Sequence, residues 1–203
     1  MRLPALIVLI AACAPSCAGR THATVVTPSA APSASATPAE TAVAVESNPP
    51  GDIPDSQAFV DYRSTAGGYH LQVPEGWART ERSASVTFAD KLHSVAVDIE
   101  SASGPRTVDT VRSMDEPKIR SSVRAFQEIK VQAVALSSGS AVLLRYRANS
   151  EPNQVTGKVY RLEVDRYEIF RSGRLASVSL SAPAGSDNVD VWNKISGSFG
   201  WTA

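Results

Sequence analysis

The sequence predicts an α+β domain in which an antiparallel β-sheet packs against helices, and three observations carry that reading. Apolar residues recur at every second position over most of the chain beyond Tyr69, as in half-buried strands. The period lengthens to that of a helix after Thr107 and again near the C-terminus. Short turns rich in Gly, Ser and Asp separate the alternating runs, as in a meander of antiparallel strands.

Tyr69-His70-Leu71-Gln72-Val73 alternates cleanly, as do Ala84, Val86 and Phe88. Asp90-Lys91-Leu92-His93 reads as a hairpin connection into Val95, Val97 and Ile99, with Asp98 and Glu100 on the opposite face. Thr107 then caps a helix carrying Val108, Val111 and Met114. Pro117 marks either a kink or the first turn of a second helix bearing Ile119 and Val123; the second is favoured, with Asp115 or Glu116 at its start. Period two returns with Ile129, Val131 and Ala133, turns at Ser137-Ser138-Gly139-Ser140, and continues through Val142, Leu144, Tyr146 and Ala148. Beyond the loop at Glu151-Pro152-Asn153, a long strand holds Tyr160, Leu162 and Val164. Its alternation slips at Arg166-Tyr167, which predicts a bulge before Tyr167 and Ile169. A turn at Arg171-Ser172-Gly173-Arg174 leads to Ala176, Val178 and Leu180. A closing helix from Ser186 or Asp187 then presents Val191, Trp192, Ile195 and Phe199 to the sheet.

The N-terminus gives an address. Arg2 precedes an apolar stretch from Leu3 to Ala12 of about ten residues, the length of a signal-peptide core and half of the roughly 20 needed to span a bilayer. Ile10-Ala11-Ala12-Cys13 resembles the bacterial lipobox, which implies cleavage before Cys13 and a thioether-linked diacylglycerol on its thiol. Two acyl chains anchor stably where one holds only reversibly. The expectation is a signal peptide over 1–12 and a lipoprotein on the extracytoplasmic side of the cell membrane. The alternative is cleavage after Ala18 within Ser16-Cys17-Ala18, giving a secreted product without either Cys. Residues 13–55 read as the lipidated Cys and a disordered tether rich in Ser, Thr, Ala and Pro, with no periodic apolar pattern to offset chain entropy.

Residues 56–203 form the expected globular domain. Both cysteines lie in the leader, so the domain has no disulfide and depends on its hydrophobic core. It carries eighteen basic and sixteen acidic side chains, a net of +2, which argues against a nucleic-acid binder. No Gly-x-Ser-x-Gly elbow, phosphate-cradling Gly-rich loop or recognised metal-ligand spacing occurs. His70 and His93, with Asp90 or Asp98, are the nearest approach to a metal set, and surface or edge positions are the simpler reading. The carboxylate pairs Asp98/Glu100 and Glu163/Asp165 read as solvated faces, with Arg145, Arg147 and Arg161 as cross-strand partners. Lys118, Arg120 and Arg124 form the most concentrated basic element, with Arg120 and Arg124 at i, i+4 on one helix face. They are the candidate interaction face for an acidic protein or membrane headgroups. Trp192 reads as core, whereas Trp77 and Trp201 either pack or line a groove.

The turn Val73-Pro74-Glu75-Gly76-Trp77, the turn at Ser138-Gly139 and the closing Trp192-x-x-Ile195-x-x-Ser198-Phe199 resemble the PsbP-like fold, and within it the small actinobacterial lipoproteins of the LpqN type. The resemblance covers residues 58 to 201 in element order. It implies an α-β-α sandwich, and accessory or binding subunits rather than catalysts. One departure is the polar outer face of several strands, carried by Asp98, Glu100, Arg145 and Arg147. The resulting expectation is a membrane-anchored, non-enzymatic module without cofactor or metal that contacts a protein partner at the cell envelope. The alternative is a carrier or sensor of a small apolar ligand, which needs a cavity lined by strand aliphatics.

Overall fold

Antiparallel pairing joins all the strands of the computed structural model, which describes residues 40–47, 52–54 and 56–202. The leader, Cys13, Cys17 and the first part of the tether lie outside the described residues. In chain order the strands are β1 (Phe59–Ser64), β2 (Tyr69–Pro74), β3 (Ala78–Arg82), β4 (Ser85–Asp90), β5 (His93–Ser101), β6 (Arg124–Leu136), β7 (Gly139–Asn149), β8 (Arg161–Arg171), β9 (Arg174–Pro183) and β10 (Gly200–Trp201). They form a small sheet, β1-β2-β10, and a large one ordered β3-β4-β5-β9-β8-β7-β6. Hairpins make most of the neighbours. The β8–β9 turn places Ser172 at φ 50° and Gly173 at φ 81°, the geometry that follows strand twist. β5 beside β9 in the large sheet, and β2 beside β10 in the small one, join strands distant in sequence.

The helices occupy both faces of the large sheet. Between β5 and β6 runs a helical stretch made of α1 (Val108–Thr110), a π-helical turn (Val111–Asp115) and α2 (Glu116–Ser122); α3 (Val189–Ser198) follows β9. One core fills the space between the large sheet, the small sheet and α3, with Leu71, Val97, Val178, Leu180, Ile195 and Phe199 at 1% exposure or less. A second, with Val111, Ile119, Leu144 and Val164, lies under α1 and α2. Each such side chain contributes roughly 1.5–3 kcal/mol on burial. The arrangement is the expected antiparallel sheet between helices. Among the described residues no helix is long and apolar enough to cross a membrane.

Thr107 is the expected cap. Its Oγ1 accepts from the Thr110 N–H at 3.1 Å, and the Thr110 hydroxyl accepts from the Thr107 N–H at 2.7 Å. Pro117 sits in the first turn of α2 and has no N–H to offer the turn behind it. The chain widens there into the π-turn, in which the Glu116 N–H reaches the Val111 carbonyl. The extra residue turns Met114 outward to 48% exposure, against expectation, and brings Asp115 to the inner face beside Val111 and Ile119. Arg106 meets the Asp115 carboxylate through Nε at 2.7 Å and Nη2 at 3.2 Å.

Three further sequence expectations need correction. The β7–β8 register runs unbroken from Ala141↔Ile169 to Asn149↔Arg161, so there is no bulge at Arg166-Tyr167. That strand is buried on both faces, and a two-sided strand loses its alternation without any slip. The irregularities lie instead in β6, between Arg124 and Gln127 and between Glu128 and Lys130, with Ala125 at φ 48°. Second, the strand charges do not share one outer face: Asp98 and Glu100 lie on the α1–α2 side, Arg145 and Arg147 on the α3 side. Third, α2 ends at Ser122, so Arg124 is a strand residue and shares no helix face with Arg120.

Candidate interaction groove

On the α3 side, directly opposed residues of β7 and β8 build a ladder of polar rungs: Arg145↔Asp165, Arg147↔Glu163 and Asn149↔Arg161. Register alone makes these pairs meet, because opposed side chains on one sheet face stand about 4.5–5.5 Å apart at Cβ. Arg145 grips Asp165 with both arms, Nε to Oδ1 at 2.5 Å and Nη2 to Oδ2 at 2.6 Å. Nε and Nη2 of Arg147 both reach Glu163 Oε2, at 3.1 and 3.0 Å. The last rung reverses: Arg161 Nη1 donates to the Asn149 amide oxygen at 3.1 Å, not to a carboxylate. Two of the three arginines therefore have the acidic partners expected of them, and Arg161 has an amide.

Past the Arg145 rung the ladder turns apolar at Leu143↔Tyr167 and enters the core. Between this floor, β6 and α3 lies a groove of about 480 Å³, walled by Lys130 and Gln132 on one side and Trp192, Asn193 and Ser196 on the other. A smaller recess of about 50 Å³ adjoins it over Arg145 and Glu163. Sequence dictates the wall, since Trp192 and Ile195 fill the inner face of α3 while Asn193 and Gly197 are left facing out. At one end the Ser137 hydroxyl donates to the Gly197 carbonyl and ties the β6–β7 turn to the helix.

Arg145 and Asp165 cancel in the groove, and Lys130 leaves it one positive charge in excess. Asp165 is 1% exposed, and its hydrogen bonds to Arg145 hold that guanidinium protonated well above its ordinary value. Burial, with the neighbouring Asp165 charge, pushes the Tyr167 phenol up, so it stays neutral; its hydroxyl lies 3.5 Å from Asp165 Oδ2. Lys130, opposite Arg145 on β6, forms no ion pair among the described residues. Ser196 gives its hydroxyl to the Trp192 carbonyl at 2.8 Å. The chemistry on offer is recognition: one free ammonium, two arginine edges, amide groups and the face of Val189, which is 61% exposed.

The other candidates are dispersed. His70 lies on β2 and His93 at the start of β5 beside Trp77, and no group of three or more potential ligands gathers among the described residues. Glu100 pairs with Arg106 at 3.1 Å. Of the basic element, Lys118 is exposed, Arg120 is paired with Glu116 and lies over the Phe126 ring at 4.4 Å, and Arg124 is held by Glu40. Trp192 and Trp201 are buried, whereas Trp77 borders a separate pocket with Leu92 and His93. Lys130, Gln132 and Asn193 were not singled out by sequence. They are common polar types, and only the fold brings them to one cleft.

No protein-family model and no curated protein matches the chain. Solved structures do. The solution structure of cyanobacterial PsbP from Synechocystis sp. PCC 6803 aligns with a TM-score of 0.51 at 20% identity, over 73% of this chain and 95% of that one. The chain has the PsbP-like fold. LpqN of Mycobacterium tuberculosis, described as involved in cell envelope biogenesis, aligns at 15% identity with a TM-score of 0.44, over 74% and 88% of the two chains. The Saccharomyces cerevisiae Ran-binding protein Mog1p gives 12% and 0.45, over 69% and 85%. These similarities describe the architecture of this PsbP-like chain and leave its role to the groove.

Proposed function

We propose that the chain is a lipoprotein held by Cys13 on the extracytoplasmic side of the cell membrane, and a non-enzymatic module that binds a protein partner at the envelope through the groove beside α3. The observation that carries the reading is the groove's construction. Its two arginines are already paired on rigid strands, so little of their freedom is lost on binding. Around them Lys130, Gln132 and Asn193 offer a polar rim and Val189 an apolar contact, the mixture typical of non-obligate interfaces. A carrier of apolar ligands is less well supported, because Arg145, Asp165 and Lys130 line the cavity that would hold them.

Photo-crosslinking residues placed at Gln132 and Asn193 of the full chain in its native membrane test the contact. One protein captured from both sites, lost on Lys130→Glu and not captured from exposed Arg112 on the opposite side, is the expected result. Equal capture from all three positions overturns it. The anchor is tested separately by labelling cells with a palmitate analogue; label retained in Cys13→Ala removes it.

A further inference from the structure

Residues 40–47 belong to the tether by composition, yet they lie against the domain where β6, β7 and β8 meet. Asn149 reads their backbone in both directions. Its Oδ1 accepts from the Val43 N–H at 3.1 Å, and its Nδ2 donates to the Thr41 carbonyl at 2.9 Å and to Glu40 Oε1 at 3.0 Å. Arg161, 4% exposed, fixes which way that amide points. Its Nη1 donates to the same Oδ1 at 3.1 Å and to the Ala125 carbonyl at 2.7 Å, and its Nη2 to Gln127 Oε1 at 3.1 Å. With Oδ1 claimed as an acceptor, Nδ2 must face the segment. Two cations bracket the seat: Arg124 Nε meets Glu40 Oε2 at 2.7 Å, and Lys158 pairs with Glu46.

A backbone-reading amide, held in place by a buried arginine and flanked by two cations, is a built peptide site. The segment in it is held by polar contacts near the surface, with Val45 43% exposed. Exposed ion pairs contribute only about 0–1 kcal/mol each. What keeps the segment seated is its covalent link, equivalent to a local concentration on the order of 1 mM. We propose that this seat binds acidic, non-helical segments of a partner protein, and that Glu40–Glu46 is a resident competitor occupying it in cis. Displacement frees residues 40–47 from the domain surface, so partner capture exposes that segment. This goes beyond the groove reading and does not depend on the groove having a partner.

The probe is a fluorescein-labelled peptide of residues 39–48 titrated against the full chain by anisotropy. For a seat with an intrinsic Kd of about 0.1 mM, the resident segment raises the apparent Kd roughly tenfold. The expected result is therefore tighter binding, by about that factor, to a Glu40→Ala/Glu46→Ala chain than to the unaltered chain. Binding to that chain should weaken again on Arg124→Ala, and also on the exposed-site change Lys158→Glu, which leaves the Asn149–Arg161 contact alone. Equal affinity with and without the resident glutamates, or no binding to the Glu40→Ala/Glu46→Ala chain, overturns the proposal. So does a concentration-dependent dimer of the unaltered chain that is lost in Glu40→Ala/Glu46→Ala, since the segment would then be exchanged between copies. Groove crosslinking reports on different residues, so the two readings fail separately.

Discussion

Arg145 and Asp165, twenty residues apart in sequence, face each other across β7 and β8 in a two-armed ion pair that leaves Asp165 buried. The pair forms part of the floor of the groove. It also makes the two residues unequal as mutational targets, because Arg145 keeps 35% of its side chain exposed while Asp165 keeps 2%.

Arg145→Met strands a buried carboxylate and should destabilise the chain by about 2–3 kcal/mol, below the 3–5 typical of fully buried pairs because of that exposure. Arg145→Met combined with Asp165→Leu should recover most of the loss, since no uncompensated charge remains. Urea unfolding of both variants decides it; equal losses would contradict the account.

Gly67 and Gly197 should respond oppositely to Ala. A Cβ on Gly67 would stand 2.3 Å from Cε1 of Tyr69, a ring at 0% exposure stacked on Phe199 at 5.6 Å. Such overpacking costs about 1–3 kcal/mol. A Cβ on Gly197 meets nothing within 4 Å, and Ala in a helix gains up to about 1 kcal/mol over Gly. Thermal unfolding of the two variants should shift in opposite directions.

Thr107→Ala removes the Oγ1 that accepts from the Thr110 N–H, leaves the Thr110 hydroxyl on the residue-107 N–H, and should cost about 1 kcal/mol. Amide exchange should quicken in α1 and the π-turn before it does in α3.

Burial raises the phenol pKa of Tyr69, Tyr146 and Tyr167 above the ordinary value of 10.0. A raised native pKa contributes stability that is complete below the unfolded value and declines as pH climbs toward the native one. The chain should therefore lose stability above about pH 10. The tyrosinate absorbance of these three phenols, isolated by comparison with a Tyr62→Phe/Tyr160→Phe chain, should rise together with unfolding.

Arg124, and secondarily Asn149, hold the Glu40 carboxyl below its ordinary 4.5, so the sign is reversed. The contribution of Glu40 to the docking of residues 40–47 is complete above that value and lost as pH falls through the lowered one. The groups facing Glu40 are Arg124 and Asn149, with Glu151 also 3.8 Å from Arg124. The Val43 amide resonance should move toward its random-coil position on acidification while core resonances stay in place.

Much of the fold was legible. The hairpins at Asp90–His93, Ser137–Ser140 and Arg171–Arg174, the Thr107 cap and the inner face of α3 all stand where sequence placed them. Each is local, written in a turn residue or an apolar period. Strands β1 and β3 were not read: β3, Ala78–Arg82, is exposed along its whole length and carries no alternating signal. The supposed bulge at Arg166-Tyr167 came from a strand buried on both sides, where period two ceases to report a face.

The site was legible only in fragments. Arg145, Arg147, Glu163 and Asp165 were recognisable as opposed charges, but the reversal at Asn149↔Arg161 and the return of Glu40 to Arg124 were not. By itself, the sequence determined the strand and helix types, the turns and the absence of disulfides in the domain, because these depend on neighbours within a few positions. Only the tertiary structure decided which charges share a face, where the π-turn rotates α1 against α2, and that a Pro- and Ala-rich tether ends in a docked segment. Those outcomes depend on register and on contacts as distant as Glu40 and Asn149, and no local period encodes a partner a hundred residues away.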